Sequence, residues 1–142
     1  MSTDLSNNAM NKELFTRVKL AALWASLMFL YIYADYFMLY TGNTVKNMMN
    51  GIMGPLGPAN DKIMIAVSIL MIVPSMMICL SALLPRQINK WLNVLFGCAY
   101  AFIAGASNMG GAPFYVLFGV VEIIVSLLIV FIAFSWRKEI AK

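Results

Sequence analysis

The sequence contains no histidine and only two cysteines, Cys79 and Cys98. Histidine is the commonest metal ligand and the usual proton-transfer group near neutral pH, so a zinc site of ordinary composition and histidine-based catalysis lack their key residue. The cysteines form no C-x-x-C pair, which removes a thiol–disulfide redox motif. Inside apolar segments they read as small hydrophobes. There is no Gly-rich phosphate loop and no serine elbow. Charge is also scarce, at 11% of residues against about a quarter in a soluble domain. No cofactor and no metal is expected, and nothing marks the chain as an enzyme. Acid–base chemistry by two carboxyl groups on a lipophilic substrate is the only catalytic option left.

What is present is apolar. Of 142 residues, 62% are hydrophobic, and the mean hydropathy is +0.83, values that belong to an integral membrane protein. The net charge of +4 does not point to nucleic acid. The basic residues flank apolar runs, where membrane orientation accounts for them, and no basic stripe with interleaved aromatics stands outside those runs. The lipid bilayer is the partner this composition requires.

The pattern predicts an all-α membrane protein, an antiparallel four-helix transmembrane bundle. Residues 1–18 form a cytoplasmic tail, residues 19–138 the transmembrane domain and residues 139–142 a second cytoplasmic tail. The spans fall near residues 20–40, 63–84, 91–107 and 114–136, each close to the ~20 residues needed to cross a bilayer. The first apolar run is too long for a signal peptide and ends in Tyr and Asp, so it reads as a retained span. In the 41–62 connection, Val45, Met48, Met49, Ile52 and Met53 follow helical spacing. They predict a short amphipathic helix capped by Asn43 or Thr44, lying in the interface or over the mouth of the bundle. Pro74 predicts a kink in the second span. Gly97, Ala101 and Gly105, each four apart, predict close helix packing within one subunit or, alternatively, a homo-oligomer seam. Gly119 leaves room for another helix beside it.

Lys12, Arg17, Lys19, Arg86, Lys90, Arg137, Lys138 and Lys142 fall on one side of this arrangement; Lys46 and Lys62 fall on the other. The positive-inside rule places both termini in the cytoplasm. Trp24, Trp91 and Trp136 then mark the inner ends of spans, and Tyr36, Tyr40 and Tyr115 the outer ends, as aromatic belts would.

Two acids interrupt the spans, and ionisable groups there are costly and commonly functional. At ~1.5 Å per residue, Asp35 lies roughly 7–8 Å and Glu122 roughly 12 Å below the outer face. Ser68, Gly105 and Asn108 fall at a similar level. Tyr31, Tyr115, Ser68 and Ser126 are candidate hydrogen-bond partners of the carboxyls. With no Lys or Arg inside a span, burial favours the neutral acid, so Glu122 is predicted to be largely protonated at pH 7. The expected picture is an outward-facing cavity with an aromatic wall, Asp35 at its mouth and Glu122 at its floor.

The stretches ALWASLMFLYIYADYF (22–37), LPRQINKWLN (84–93) and FYVLFGVVEI (114–123) resemble a family of small bacterial four-span membrane proteins classed only as a domain of unknown function. The resemblance runs from about Lys19 to Trp136. It implies the four-span form and an inner-membrane location, and it supplies no substrate. The expected function is a non-catalytic accessory or structural role in the inner membrane. The alternative is proton-linked binding or transport of a small lipophilic or cationic molecule at Asp35 and Glu122.

Overall fold

The computed structural model describes residues 2–108 and 112–136, without the side chains of residues 2–6 and 9. Arg137, Lys138 and the tail 139–142 lie outside the described residues, as do 109–111 of the last turn. The described residues form five α-helices and no strand: α1 (Ser2–Met38), α2 (Thr44–Met49), α3 (Asp61–Leu83), α4 (Arg86–Ser107) and α5 (Pro113–Ser135). Three of them, α1 from Met10 onward, α3 and α5, are long and apolar enough to cross a membrane.

α1 packs on α3 and on α5, α5 packs extensively on α4, and α3 meets α4 only slightly. Leu20, Trp24, Leu27 and Ala34 recur at steps of four, three and seven residues and give α1 one buried seam. Met77 of α3, Tyr100 of α4 and Ile129 and Ala133 of α5 close on it. The outward surfaces are apolar: Ile65, Ile69 and Ile72 of α3, Phe102 of α4 and Phe131 of α5 are each more than half exposed. A protein surrounded by water would not leave so much apolar surface uncovered.

The helix ends are finished by identifiable side chains. Asn60 Oδ1 accepts the Ile63 amide at 3.1 Å and caps the start of α3. Pro113 opens α5, where its missing N–H costs nothing. At the other end of α3, Arg17 Nη1 donates to the carbonyls of Ala82 at 2.9 Å and Leu84 at 2.7 Å. Lys90 Nζ donates to the Phe134 carbonyl of α5 at 2.8 Å. Both cations therefore sit on the unpaired carbonyls of a neighbouring helix, where the helix dipole also favours them.

Several sequence expectations are corrected here. α1 begins at Ser2 rather than near residue 20, and the Glu13–Arg17 pair, four residues apart at 2.9 Å, ties its early turns together. α4 begins at Arg86, so most of the basic link is its first turn, started by Pro85. α2 is only six residues long; Asn43 is left-handed there and makes no side-chain cap. Ile52 lies beyond it, pairing with Pro58 in an isolated bridge. Met49 is 83% exposed and α2 buries no residue, so it does not pack over the bundle. Trp24 and Trp136 are buried, which leaves Trp91 as the exposed tryptophan among the described residues.

Pro74 sits inside α3 and is buried. Lacking an N–H, it cannot bond the carbonyl four residues earlier, that of Leu70. Tyr100 of α4 supplies the missing donor: its hydroxyl reaches the Leu70 carbonyl at 2.5 Å. The same ring stacks edge-on against Trp24, with centroids 5.8 Å apart. Tyr100→Phe should therefore destabilise the protein by about 1–2 kcal/mol in a detergent unfolding titration. In a Pro74→Ala background, where residue 74 again has an N–H, the cost should largely vanish. An equal cost in both backgrounds would disprove the compensation.

Candidate functional site

Polar side chains gather in two zones inside the bundle, and the zones differ in how far their hydrogen bonds are met. The first lies between the early part of α1, the end of α3 and the start of α4. Trp24 Nε1 donates to Asn93 Oδ1 at 2.7 Å, and Ser81 Oγ donates to the same oxygen at 3.2 Å. Asn93 Nδ2 donates to Asn89 Oδ1 at 2.6 Å and to the Asn89 carbonyl at 2.8 Å. Asn89 Nδ2 closes the circuit on the Ser81 carbonyl at 2.6 Å. All four side chains are fully buried. Buried polar networks of this kind rigidify a core when every member is paired.

Sequence reasoning missed Ser81, Asn89, Asn93 and Tyr100. Two signals pointed to them. Asn89, Asn93 and Gly97 repeat every four residues, which puts two amides on one face of a helix. A tryptophan within an apolar span needs a partner for its indole N–H.

The second zone is the one the sequence pointed to. Glu122 of α5 is 5% exposed, and Asp35 of α1 is exposed. Asp35 and Glu122 lie near each other, with Tyr115 near both and Tyr31 near Glu122. Asp35, Glu122, Tyr31 and Tyr115 are thus brought into one neighbourhood. Ser126, one turn beyond Glu122, is fully buried. Asn108 packs so closely on Gly119 that a methyl group there would collide with its side chain. Ser68 does not join the group: it is exposed and its hydroxyl returns to the Met64 carbonyl of its own helix at 2.8 Å.

Among the described residues, three buried polar atoms have no hydrogen-bond partner: the Tyr31 hydroxyl, Asn108 Oδ1 and Ser126 Oγ. All three belong to the neighbourhood of Glu122. Buried polar atoms are nearly always paired, with protein or with ordered water. Toward the amino-terminal end of α5, Phe37, Tyr40, Thr41, Phe114 and Phe118 line a cleft of about 440 Å³. Phe37 and Phe118 stand 6.1 Å apart across it. Neither acid lines this cleft, so it is not the expected cavity with Asp35 at its mouth and Glu122 at its floor.

The small residues behave differently from one another. A methyl at Gly97 would come within 2.7 Å of Val130 Cγ2 and 3.3 Å of the Ser126 carbonyl, so this glycine lets α4 and α5 approach within the subunit. Ala101 is half-buried, and Gly105 meets nothing within 4 Å. The seam of α4 runs instead through Asn89, Asn93, Gly97, Tyr100 and Ala104. Among the described residues, no three His, Cys, Asp or Glu side chains gather as a metal site would require.

A family model described as Family of unknown function (DUF6326) matches residues 11–142. The chain belongs to this family. No curated protein and no solved structure matches it.

The paired zone makes a sharp prediction. Asn93→Leu removes the acceptor shared by Trp24 and Ser81 and leaves Asn89 Oδ1 without its donor. It should cost about 2 kcal/mol or more of stability, the scale of buried groups left unpaired. Ser68→Ala, at an exposed hydroxyl bonded to its own helix, should change stability by less than about 0.5 kcal/mol. Circular dichroism during detergent denaturation compares the two; similar losses would refute the importance of the network.

Proposed function

We propose that this member of a family of unknown function is a four-span protein of the bacterial inner membrane, with both termini in the cytoplasm. In this reading it acts there as a non-catalytic accessory or structural component. The observation that carries the four-span form is the inverted amphipathicity of α4. Asn89, Asn93, Gly97 and Tyr100 face inward and lower its hydropathy, while Ile88, Trp91, Leu95 and Phe102 face outward, each more than half exposed. Polar inside and apolar outside is the arrangement a lipid environment selects. Its 22 residues reach ~33 Å, sufficient for the hydrocarbon core. Lys12, Arg17, Lys19, Arg86 and Lys90 at one end, against Lys46 and Lys62 at the other, support the orientation. The inward polar groups of the first zone are taken up by bonds between helices, which supports a structural role for them.

A second reading is favoured by the three unpaired atoms around Glu122. Proton-linked binding of a small lipophilic cation would draw on the carboxyls of Glu122 and Asp35 and on the aromatic cleft near them. Water or a polar ligand group at Glu122 would pair the Tyr31, Ser126 and Asn108 atoms.

Cysteine labelling tests the topology. With Cys79 and Cys98 replaced by Ala, an impermeant maleimide should label Asn50→Cys and Ala112→Cys in intact cells, and Gln87→Cys only after permeabilisation. If Ala112→Cys behaves like Gln87→Cys, α4 does not span. Tetraphenylphosphonium binding to proteoliposomes separates the two functional readings. The site reading expects saturable binding weakened at least tenfold by Glu122→Gln and less by Asp35→Asn. No saturable binding by the wild-type protein would leave the accessory reading alone.

A further inference from the structure

The segment between α1 and α3 does not cover the bundle, yet it is neither polar nor loose. From Thr41 to Asn60 its only charged residue is Lys46. Val45, Met48, Met49 and Leu56 are each at least half exposed. Val45, Met48 and Met49 share one side of α2, and Lys46 and Asn47 share the other. We propose that this segment docks on the lipid surface beside the spans, with Val45, Met48, Met49 and Leu56 entering the acyl boundary of the nearer leaflet.

The backbone is the first argument. A loop in water can leave its amides to solvent, whereas one at the edge of the hydrocarbon must pair them itself. Gly51, Gly54 and Gly57 take positive φ values of 68°, 48° and 81° and fold residues 51–59 back on themselves. The Ala59 amide donates to the Gly51 carbonyl and the Met53 amide to the Gly57 carbonyl, both at 2.7 Å, around the Ile52–Pro58 bridge. The amides of Gly51, Ile52, Leu56 and Gly57 donate to other carbonyls of the same segment. Pro55 and Pro58 have no N–H to satisfy. The result is a preformed knob, its backbone largely paired, that still exposes Leu56.

Position is the second argument. The segment leaves α1 and returns to α3, two helices that pack on each other, so it begins and ends at one end of the bundle. Tyr36 and Tyr40 near the end of α1 are exposed, and their hydroxyls meet at 3.0 Å. Tyrosines so placed mark the headgroup level of a bilayer. Met64 and Ile65 at the start of α3 are exposed as well. Exposed apolar side chains thus run from both helices into the segment. That continuity favours lipid over a second protein, and unbranched methionines adapt to acyl chains without a matched shape. This inference rests on the chain crossing a membrane, and not on the number of spans or on Glu122.

Electron paramagnetic resonance of the full chain in proteoliposomes tests the assignment. Cys79 and Cys98 are replaced by Ala, and one nitroxide is attached at Met49→Cys or at Leu56→Cys. Oxygen, which concentrates in lipid, should relax both labels at least about threefold more than a neutral aqueous nickel chelate does, as side chains within the acyl boundary require. Ile69→Cys on α3 is the lipid-facing reference, and Asn50→Cys, a polar position of the same segment, should favour the chelate. Chelate-dominated relaxation at Met49 and Leu56, with Ile69 still oxygen-dominated, overturns the docking and spares the membrane reading. Chelate-dominated relaxation at Ile69 as well overturns both. Protection of Met49 and Leu56 from both reagents means that protein covers the segment and also overturns the proposal; dipolar broadening between labels would identify that protein as a second copy.

Discussion

In lipid, every polar group of the chain must find its partner within the protein, because no water is available to serve instead. That constraint explains the contacts that hold this bundle together better than hydrophobic burial does, since lipid tails are as apolar as the side chains facing them. Pro74 breaks the ladder of α3, and Tyr100 of α4 repairs it at the Leu70 carbonyl. The carbonyls ending α3 and α5 are met by Arg17 and Lys90 from other helices. The Trp24 indole is met by Asn93. Each repair comes from a different element than the defect, so each becomes a specific inter-helix contact. α3 and α4, which touch only slightly, are joined through Tyr100 and through the Ser81–Asn89 contact.

The two halves of the bundle answer this constraint differently. Between Trp24, Ser81, Asn89 and Asn93 every buried side chain is paired, and such a region favours one rigid arrangement. Around Glu122 the Tyr31, Asn108 and Ser126 atoms stay unpaired, and an aromatic cleft opens close by. Buried polar groups without a protein partner are ordinarily met by ordered water. The paired network and the unpaired group are thus separated along the bundle axis.

Much of the fold was legible in the residues. Apolar runs of bilayer length located α1, α3 and α5, whereas α4 starts at Arg86, five residues before the span read from the sequence, because the basic link that forms its first turn carries no apolar run. The early start of α1 was not legible, since an Asn-rich polar segment carries no periodic apolar face. The shortness of α2 was hidden for a related reason: Ile52 and Met53 continue the helical spacing, but Gly51 takes a positive φ of 68° and turns the chain out of the helix. Depth counting misassigned Ser68, whose level is right and whose face is wrong, because depth says nothing of the direction in which a side chain leaves its helix.

The sequence by itself determined that the chain is helical and apolar, which residues are too costly to bury unpaired, and where helices stop. These follow from local chemistry: backbone geometry, hydropathy and missing donors. Only the tertiary structure decided which side chain meets which need. Trp24 read as an interfacial anchor and is a fully buried donor to Asn93; Arg17 and Lys90 read as topology signals and also cap neighbouring helices. The physical reason is that a hydrogen bond requires a partner within about 3 Å in the right direction, and only the packing of helices distant in sequence sets that distance.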